Sequence, residues 1–245
     1  MVSIKQSKFI KSLNIKKYRV KEKSFIAEGR KNVLEGIKSD YKLKHLLATV
    51  EFLRNNVEVT QFVGHKVIEV TNKELEGIGT FTTNNDCLAV FGMPDANPEN
   101  IAFDDHIIAV DGLSDPGNLG TIIRTMDWFG FKHLVCSSDT TDVYNPKVIN
   151  ATMGSYCRVK VYYTDLSSFI QRAPIAAYGA DFNGIPLSKW DHSPKSILVF
   201  GSESHGISVG VKSHLKSTVT IEKVGAAESL NVGIATGIIC HHLRS

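Results

Sequence analysis

Three short polar stretches carry residue types able to do chemistry. Asp115-Pro-Gly-Asn-Leu-Gly120 stands directly after a buried-strand pattern, Ile107-Ile-Ala-Val110, with Asp111-Gly-Leu-Ser114 between them, and directly before a helix over Thr121–Phe129. In open α/β sheets that position, beyond the carboxyl end of a strand, is where ligands bind. Arg124 falls in the early turns of the helix, where a guanidinium reaches the same end of the sheet and can grip a phosphate bidentately. A lone arginine is otherwise an ordinary surface residue. The second stretch, Gly201-Ser-Glu-Ser-His-Gly-Ile207, follows the strand Ile197–Phe200, and the third, Glu228-Ser-Leu-Asn231, opens a final apolar helix ending near Leu243. Their small residues let backbone come close to a ligand, so both loops read as parts of a cofactor site.

Other chemistries find less support. The first loop offers Gly117 and Gly120 but no G-x-G-x-x-G, and no Gly-Lys-Ser/Thr occurs, which disfavours nicotinamide and nucleoside-triphosphate enzymes. Cys87, Cys136, Cys157 and Cys240 are widely spaced, form no C-x-x-C pair and read as reduced core residues. His241 and His242 are adjacent on a helix, so their side chains point about 100° apart and suit one metal ion poorly. No metal is expected. His205 reads as a loop residue rather than a base.

The elements that must position these loops alternate. Phe25-Ile-Ala-Glu-Gly29 precedes a helix with Val33, Leu34 and Ile37 on one face, and Leu43–Ala48 reads as a strand. A helix near Val50–Asn56, a strand near Val57–Val63, a helix opened by the capping-box pair Thr71 and Glu74, and a strand Cys87–Phe91 follow. The stretch Gly92–Asn100 has linker composition, and the expected domains are residues 1–97 and 98–245. The second continues with a strand at Leu134–Cys136, a helix begun by Pro146, a strand at Arg158–Tyr163, a helix near Leu166–Arg172, and strands at Ile175–Gly179, Ile197–Phe200 and Thr218–Glu222. Such alternation predicts an α/β fold with a mostly parallel sheet and helices on both faces. In the final helix Gly233 and Gly237 lie four apart on one face. Each costs about 1 kcal/mol relative to alanine, a cost that a close helix or ligand approach explains.

The 245 residues, 42% hydrophobic and 22% charged, suffice for one large domain or two modest ones. No stretch reads as a signal peptide or membrane span, so a cytoplasmic, non-membrane protein is expected. Charge is uneven: residues 1–45 hold 13 of the 28 Lys and Arg against 4 of the 25 Asp and Glu. A lysine-rich first segment, either a basic arm or a first helix, fits a phosphate-backbone partner, RNA or DNA.

Together the three stretches resemble a known family. Asp115-Pro-Gly-Asn-Leu-Gly-Thr-Ile-Ile-Arg-Thr-Met-Asp-Trp-Phe-Gly130 is similar to the first motif of the SpoU (TrmH-type) RNA 2′-O-ribose methyltransferases, Phe200–Ser208 to their second, and Glu228–Ala235 to their third. Phe25–Gly29 and the pattern up to Phe91 resemble the family's smaller substrate-binding domain. The resemblance implies a SPOUT-type catalytic domain with a C-terminal trefoil knot, S-adenosylmethionine as cofactor and a homodimer packed through the catalytic domains. It places Phe200, Gly201, Glu203, Ile221, Ser229 and Leu230 around the cofactor. The chemistry falls to Arg124, with Asn118, Glu203, Ser229 and Asn231 as further catalytic positions. Ribosomal RNA is the expected substrate; transfer RNA, or a non-catalytic RNA-binding or assembly protein of the same fold, is the alternative. Two departures stand out: Asp115 replaces the asparagine of many relatives, and Thr220-Ile-Glu-Lys223 lacks the proline they carry after the isoleucine.

Overall fold

The computed structural model describes residues 2–81, 83–84, 86–192 and 195–245. Two compact units form, one from Met1–Asp95 with Asp142–Cys157, the other from Ala96–Thr141 with Arg158–Ser245. The first unit begins with helices α1 (Ile4–Ser12) and α2 (Lys16–Glu22), so the basic segment is helical rather than an arm. Strand β1 (Ser24–Glu28), α3 (Arg30–Lys38), β2 (Leu43–Ala48), α4 (Val50–Asn55), α5 (Val57–Val63), β3 (Val67–Glu69), α6 (Asn72–Ile78) and β4 (Cys87–Gly92) follow. The strands form a four-stranded sheet in the order β1-β4-β2-β3, antiparallel except for the β2–β3 pair. Alternation along β1 sends Phe25 and Ala27 into one core and Ile26 into the other.

Val57–Val63, expected as a strand, is a helix. Its apolar residues alternate like a strand's, but Val59 and Val63, four apart, pack on one core, and that spacing is helical. The capping box at α6 is present: the Thr71 hydroxyl accepts from the Glu74 N–H, and the Glu74 carboxylate accepts from the Thr71 N–H at 2.9 Å.

The second unit holds β5 (Ile107–Asp111), α7 (Pro116–Trp128) and β6 (His133–Ser137); α8 (Pro146–Thr152) comes next in the chain but belongs to the first unit. Then come β7 (Lys160–Thr164), α9 (Leu166–Arg172), β8 (Ala177–Pro186), β9 (Ile197–Gly201), α10 (Val209–Lys212), β10 (Ser217–Thr220) and α11 (Val232–His242). These strands make a six-stranded sheet, β10-β8-β9-β5-β6-β7, in which every pair is parallel. Helices α9 and α10 bury Phe169, Ile170 and Val211 with Ile107, Ala109, Ile197 and Val199. The expected α/β class and parallel sheet are therefore found.

Several boundaries differ from expectation. Helix α7 begins at Pro116 rather than Thr121, because Asp115 caps it there, so most of the first stretch is helix rather than loop. Strand β8 runs on through Pro186, because it pairs with β10 at Tyr178–Gly179 and again at Ile185–Pro186 around an excursion. Strand β10 ends at Thr220, leaving Ile221 and Glu222 beyond it. Helix α11 begins at Val232, so Glu228–Leu230 form an exposed approach rather than helix.

The segment 142–157 completes the first unit. Ile149 and Tyr156 join the core of Phe25, Val33 and Phe91, and the Tyr156 hydroxyl donates to the Asn32 carbonyl at 2.8 Å. Arg19, 2% exposed, donates to Asp142 Oδ2 from Nε at 2.9 Å and Nη2 at 2.7 Å, and to the Leu13 carbonyl at 2.8 Å. The division at Asp95/Ala96 lies within the Gly92–Asn100 linker, but residues 142–157, expected in the 98–245 domain, belong to the first unit.

Candidate active site at the strand ends

Each polar stretch is fixed locally before the three meet. Asp115 is the N-cap of α7, its carboxylate accepting from the Asn118 N–H at 2.7 Å, with Pro116 in the first turn where a missing N–H costs nothing. The departure from asparagine at this position thus keeps a capping acceptor. In the second stretch, Ser202 and Gly206 exchange backbone hydrogen bonds at 3.1 and 2.9 Å, and Gly206 takes a φ of +65°. A Cβ on Gly201 would overlap the Gly206 carbonyl and the Ile207 nitrogen. Glycine there serves the closure of the loop on itself rather than the approach of a ligand. Asn231 caps α11, its Oδ1 accepting from Gly233 N–H at 2.9 Å and Ile234 N–H at 3.4 Å.

The caps then set the direction of a chain of hydrogen bonds. With Oδ1 of Asn231 committed to α11, its Nδ2 donates to Asn118 Oδ1 at 2.9 Å. That leaves Asn118 Nδ2 to donate, and it does so to Glu203 Oε1. A single amide thus joins all three stretches, and the orientation of each side chain follows from its neighbour. Asn118, Glu203 and Asn231 are brought together as expected.

The remaining expected residues are less tied. Arg124 lies on the exposed face of α7 and has no hydrogen-bond or ion-pair partner among the described residues. Ser229 and Leu230 are exposed in the approach to α11, Leu230 by 48%. Ile221 is half-buried just past β10. Phe200 is only 2% exposed, so it offers a ligand almost no surface directly. His205 is an exposed loop residue whose Nδ1 lies 2.7 Å from the Ser204 hydroxyl.

Sequence reasoning missed Asp111. This residue is 7% exposed at the end of β5, and its Oδ2 accepts from the Ser208 N–H at 2.7 Å, clamping the second stretch to the strand before the first. A buried carboxylate closing an otherwise apolar strand was the available signal. Beside it, Gly112 N–H donates to Ser137 Oγ at 2.8 Å, and that hydroxyl donates to Asp139 at 2.6 Å.

Helices α7 and α11 pack closely behind these loops. A Cβ on Gly233 would stand 2.9 Å from Thr121 Cγ2, whereas one on Gly237 would meet Thr125 Cγ2 at an ordinary 3.8 Å. Close helix approach therefore accounts for the first glycine only. On the outer side Trp128 is 84% exposed, Ile234 55% and Ile238 39%. No helix of the described residues is long and apolar enough to cross a membrane. The cysteines are free, and Cys87, Cys136 and Cys240 are buried; burial pushes the Cys240 thiol up to about 12.

A parallel α/β unit with a capped, hydrogen-bonded loop cluster at its strand ends has clear counterparts. Residues 105–241 match the SpoU rRNA Methylase family, and residues 5–89 match the MRM3-like substrate binding domain. The chain belongs to the SpoU rRNA Methylase family. It is 29% identical over 238 residues to the 23S rRNA (guanosine(2553)-2′-O)-methyltransferase RlmP of Bacillus subtilis, spanning 96% of this chain and 94% of that one. A TrmH-family protein from Porphyromonas gingivalis superposes with a TM-score of 0.88 at 35% identity, covering 100% of this chain and 98% of that one. The AdoMet-bound rRNA methyltransferase from Sinorhizobium meliloti superposes with a TM-score of 0.89 at 29% identity, covering 100% and 96%.

Proposed function

We propose that this protein transfers a methyl group from S-adenosylmethionine to a ribose 2′-hydroxyl of ribosomal RNA, acting as a cytoplasmic homodimer with a knotted catalytic unit. The observation that carries the reading is the Asn231–Asn118–Glu203 chain, which holds all three family stretches at one end of a parallel sheet. The site's chemistry fits the cofactor: half-buried Ile221 and exposed Leu230 offer apolar surface to an adenine, part-buried Gly201 lets backbone come close beside Phe200, and Ser229 and Glu203 offer polar groups to a ribose. Bound there, S-adenosylmethionine supplies an electrophilic methyl group on a sulfonium.

The residues of the chain then have to align and stabilise. Methyl transfer is an in-line displacement, so its rate depends on how well the nucleophilic hydroxyl is held against the methyl carbon. Arg124 is exposed and carries a charge with no internal partner among the described residues, so it is free to bind the substrate phosphate and stabilise the developing alkoxide. Asn118 orients Glu203 and the N-terminus of α11 around the same space.

Ribosomal RNA is favoured by the name of the Bacillus subtilis relative and by the match of residues 5–89 to a substrate-binding domain. It also suits α1, α2 and the residue after them, where Lys5, Lys8, Lys11, Lys16, Lys17, Lys21 and Lys23 are all exposed. Exposed Trp128, Ile234 and Ile238 support pairing of two catalytic units.

The test is Arg124→Ala assayed on ribosomal RNA with radiolabelled S-adenosylmethionine. Turnover is expected to fall by at least about 100-fold, as when a transition-state donor is removed, while calorimetric binding of S-adenosylmethionine is retained. Near-normal turnover would remove Arg124 from the mechanism, and methylation of transfer RNA alone would redirect the substrate assignment.

A further inference from the structure

Phe182 sits at the crest of the excursion that interrupts β8, and its side chain is 70% exposed. A mobile loop would let such a ring fold back onto apolar surface. This part of β8 is instead tied to itself, to α10 and to β10. Asp181 Oδ1 accepts from the Phe182 N–H at 2.7 Å while Asp181 Oδ2 pairs with Lys212 at 3.0 Å. Thr220 donates its hydroxyl to the Phe182 carbonyl at 3.1 Å, and Thr218 donates to the Asn183 carbonyl at 2.6 Å. Gly184 presses onto β10 so closely that a Cβ would stand 2.7 Å from the Thr218 carbonyl carbon. The backbone presents the ring outward.

The place of presentation matters as much as its rigidity. β8 pairs with β9 up to Gly179–Val199, and the next residues of β9 are Phe200 and Gly201, which open the second family stretch. The excursion therefore projects from the same end of the sheet as the candidate site. Thr220, which holds Phe182, is the neighbour of Ile221. Lys223, exposed, follows within three residues.

We propose that Phe182 is a stacking platform for a nucleobase of the RNA substrate, positioning the ribose that is methylated; this rests on the reading of the site as an RNA 2′-O-methyltransferase. A planar ring fits an exposed aromatic flanked by polar Asp181 and Asn183; Ile185, 39% exposed at the end of the same excursion, adds too little apolar surface for the broader patch a protein partner would need. Lys223 supplies a cation for a neighbouring phosphate. Stacking tolerates any base, so Phe182 contributes affinity and alignment rather than sequence choice.

The test compares Phe182→Leu and Phe182→Trp with wild type on protein-free large-subunit ribosomal RNA. RNA affinity is read by filter binding, S-adenosylmethionine affinity by calorimetry, and turnover under the same conditions. Leucine keeps apolar volume and removes the ring plane. It is expected to weaken RNA binding roughly 5- to 100-fold, with tryptophan restoring it and cofactor affinity unchanged. Unchanged RNA affinity in the leucine variant overturns the proposal, as does a loss confined to S-adenosylmethionine, which would make the ring a cofactor contact. Because RNA affinity is read without turnover, an inactive wild type would count against the methyltransferase reading alone.

Discussion

At Asn118 one planar amide must donate to Glu203 and accept from Asn231 at the same time, a combination that only asparagine and glutamine side chains offer in fixed geometry. An aspartate there keeps the shape but loses the donor and sets a second carboxylate against Glu203. Asn118→Asp is therefore expected to lower single-turnover methylation by about 100-fold, the scale of a small misplacement of reacting groups, with little change in thermal midpoint. A variant within about threefold of wild type would show that the hydrogen-bond chain does not position the reacting groups. The residue types and order of the three stretches were legible in the sequence because they lie in short contiguous runs. The direction of the bonds was not, since it depends on caps contributed by two helices far apart in the chain. Asp111 escaped for a related reason: its partner, Ser208, belongs to a different loop.

Among the elements, α7 and α11 set how tightly the loops are held. Gly233 has no room for a larger group against Thr121, while Gly237 has an ordinary gap to Thr125. Gly233→Val should cost about 1–3 kcal/mol through overpacking. Gly237→Ala should be neutral or stabilise by up to about 1 kcal/mol through helix propensity. Urea denaturation of both variants checks this, and equal losses would mean that the helices are not limited by contact at Gly233. The alternation of strands and helices was readable from hydrophobic spacing alone. The exceptions have physical causes: Val57–Val63 carries a strand-like alternation but packs through Val59 and Val63, and β8 could be traced past Gly179 only by its pairing with β10. Period-based reading sees which residues are apolar, not which neighbour captures them.

At the scale of the molecule, the second unit is fastened by a bidentate pair that sequence gave no sign of. Just beyond α11, Arg244 donates to both oxygens of Asp105 at 3.0 and 2.5 Å, donates to the Phe129 carbonyl at 3.0 Å, and lies 4.0 Å over the Phe131 ring. Burial by itself would raise the pKa of the Asp105 carboxyl, but hydrogen bonds from Arg244 and the His106 N–H and the nearby Arg244 charge outweigh it, and the net direction is down. Its contribution is thus present above the unfolded carboxyl's titration near pH ~3.9 and is lost as pH falls through the lower folded value. Wild type should melt higher than Asp105→Asn at neutral pH, and the two should converge as pH falls through the lowered titration of the folded carboxyl. Since the pair is partly exposed, the neutral-pH gap should stay below about 1 kcal/mol. A gap that persists undiminished in acid would assign the stability to packing instead.

Residues 142–157 carry a further consequence, one that concerns synthesis rather than the finished molecule. The core around Phe25 is closed by Ile149 and Tyr156, and among the described residues buried Arg19 finds its carboxylate at Asp142. As the chain leaves the ribosome, the first unit stays open on one side until Cys157 has emerged, by which time β5, α7 and β6 of the second unit are already exposed. The first unit's core is therefore complete only after part of the second unit has been made. A fragment cut at the linker would lack Ile149 and Tyr156 from its aromatic core and the Asp142 carboxylate beside buried Arg19.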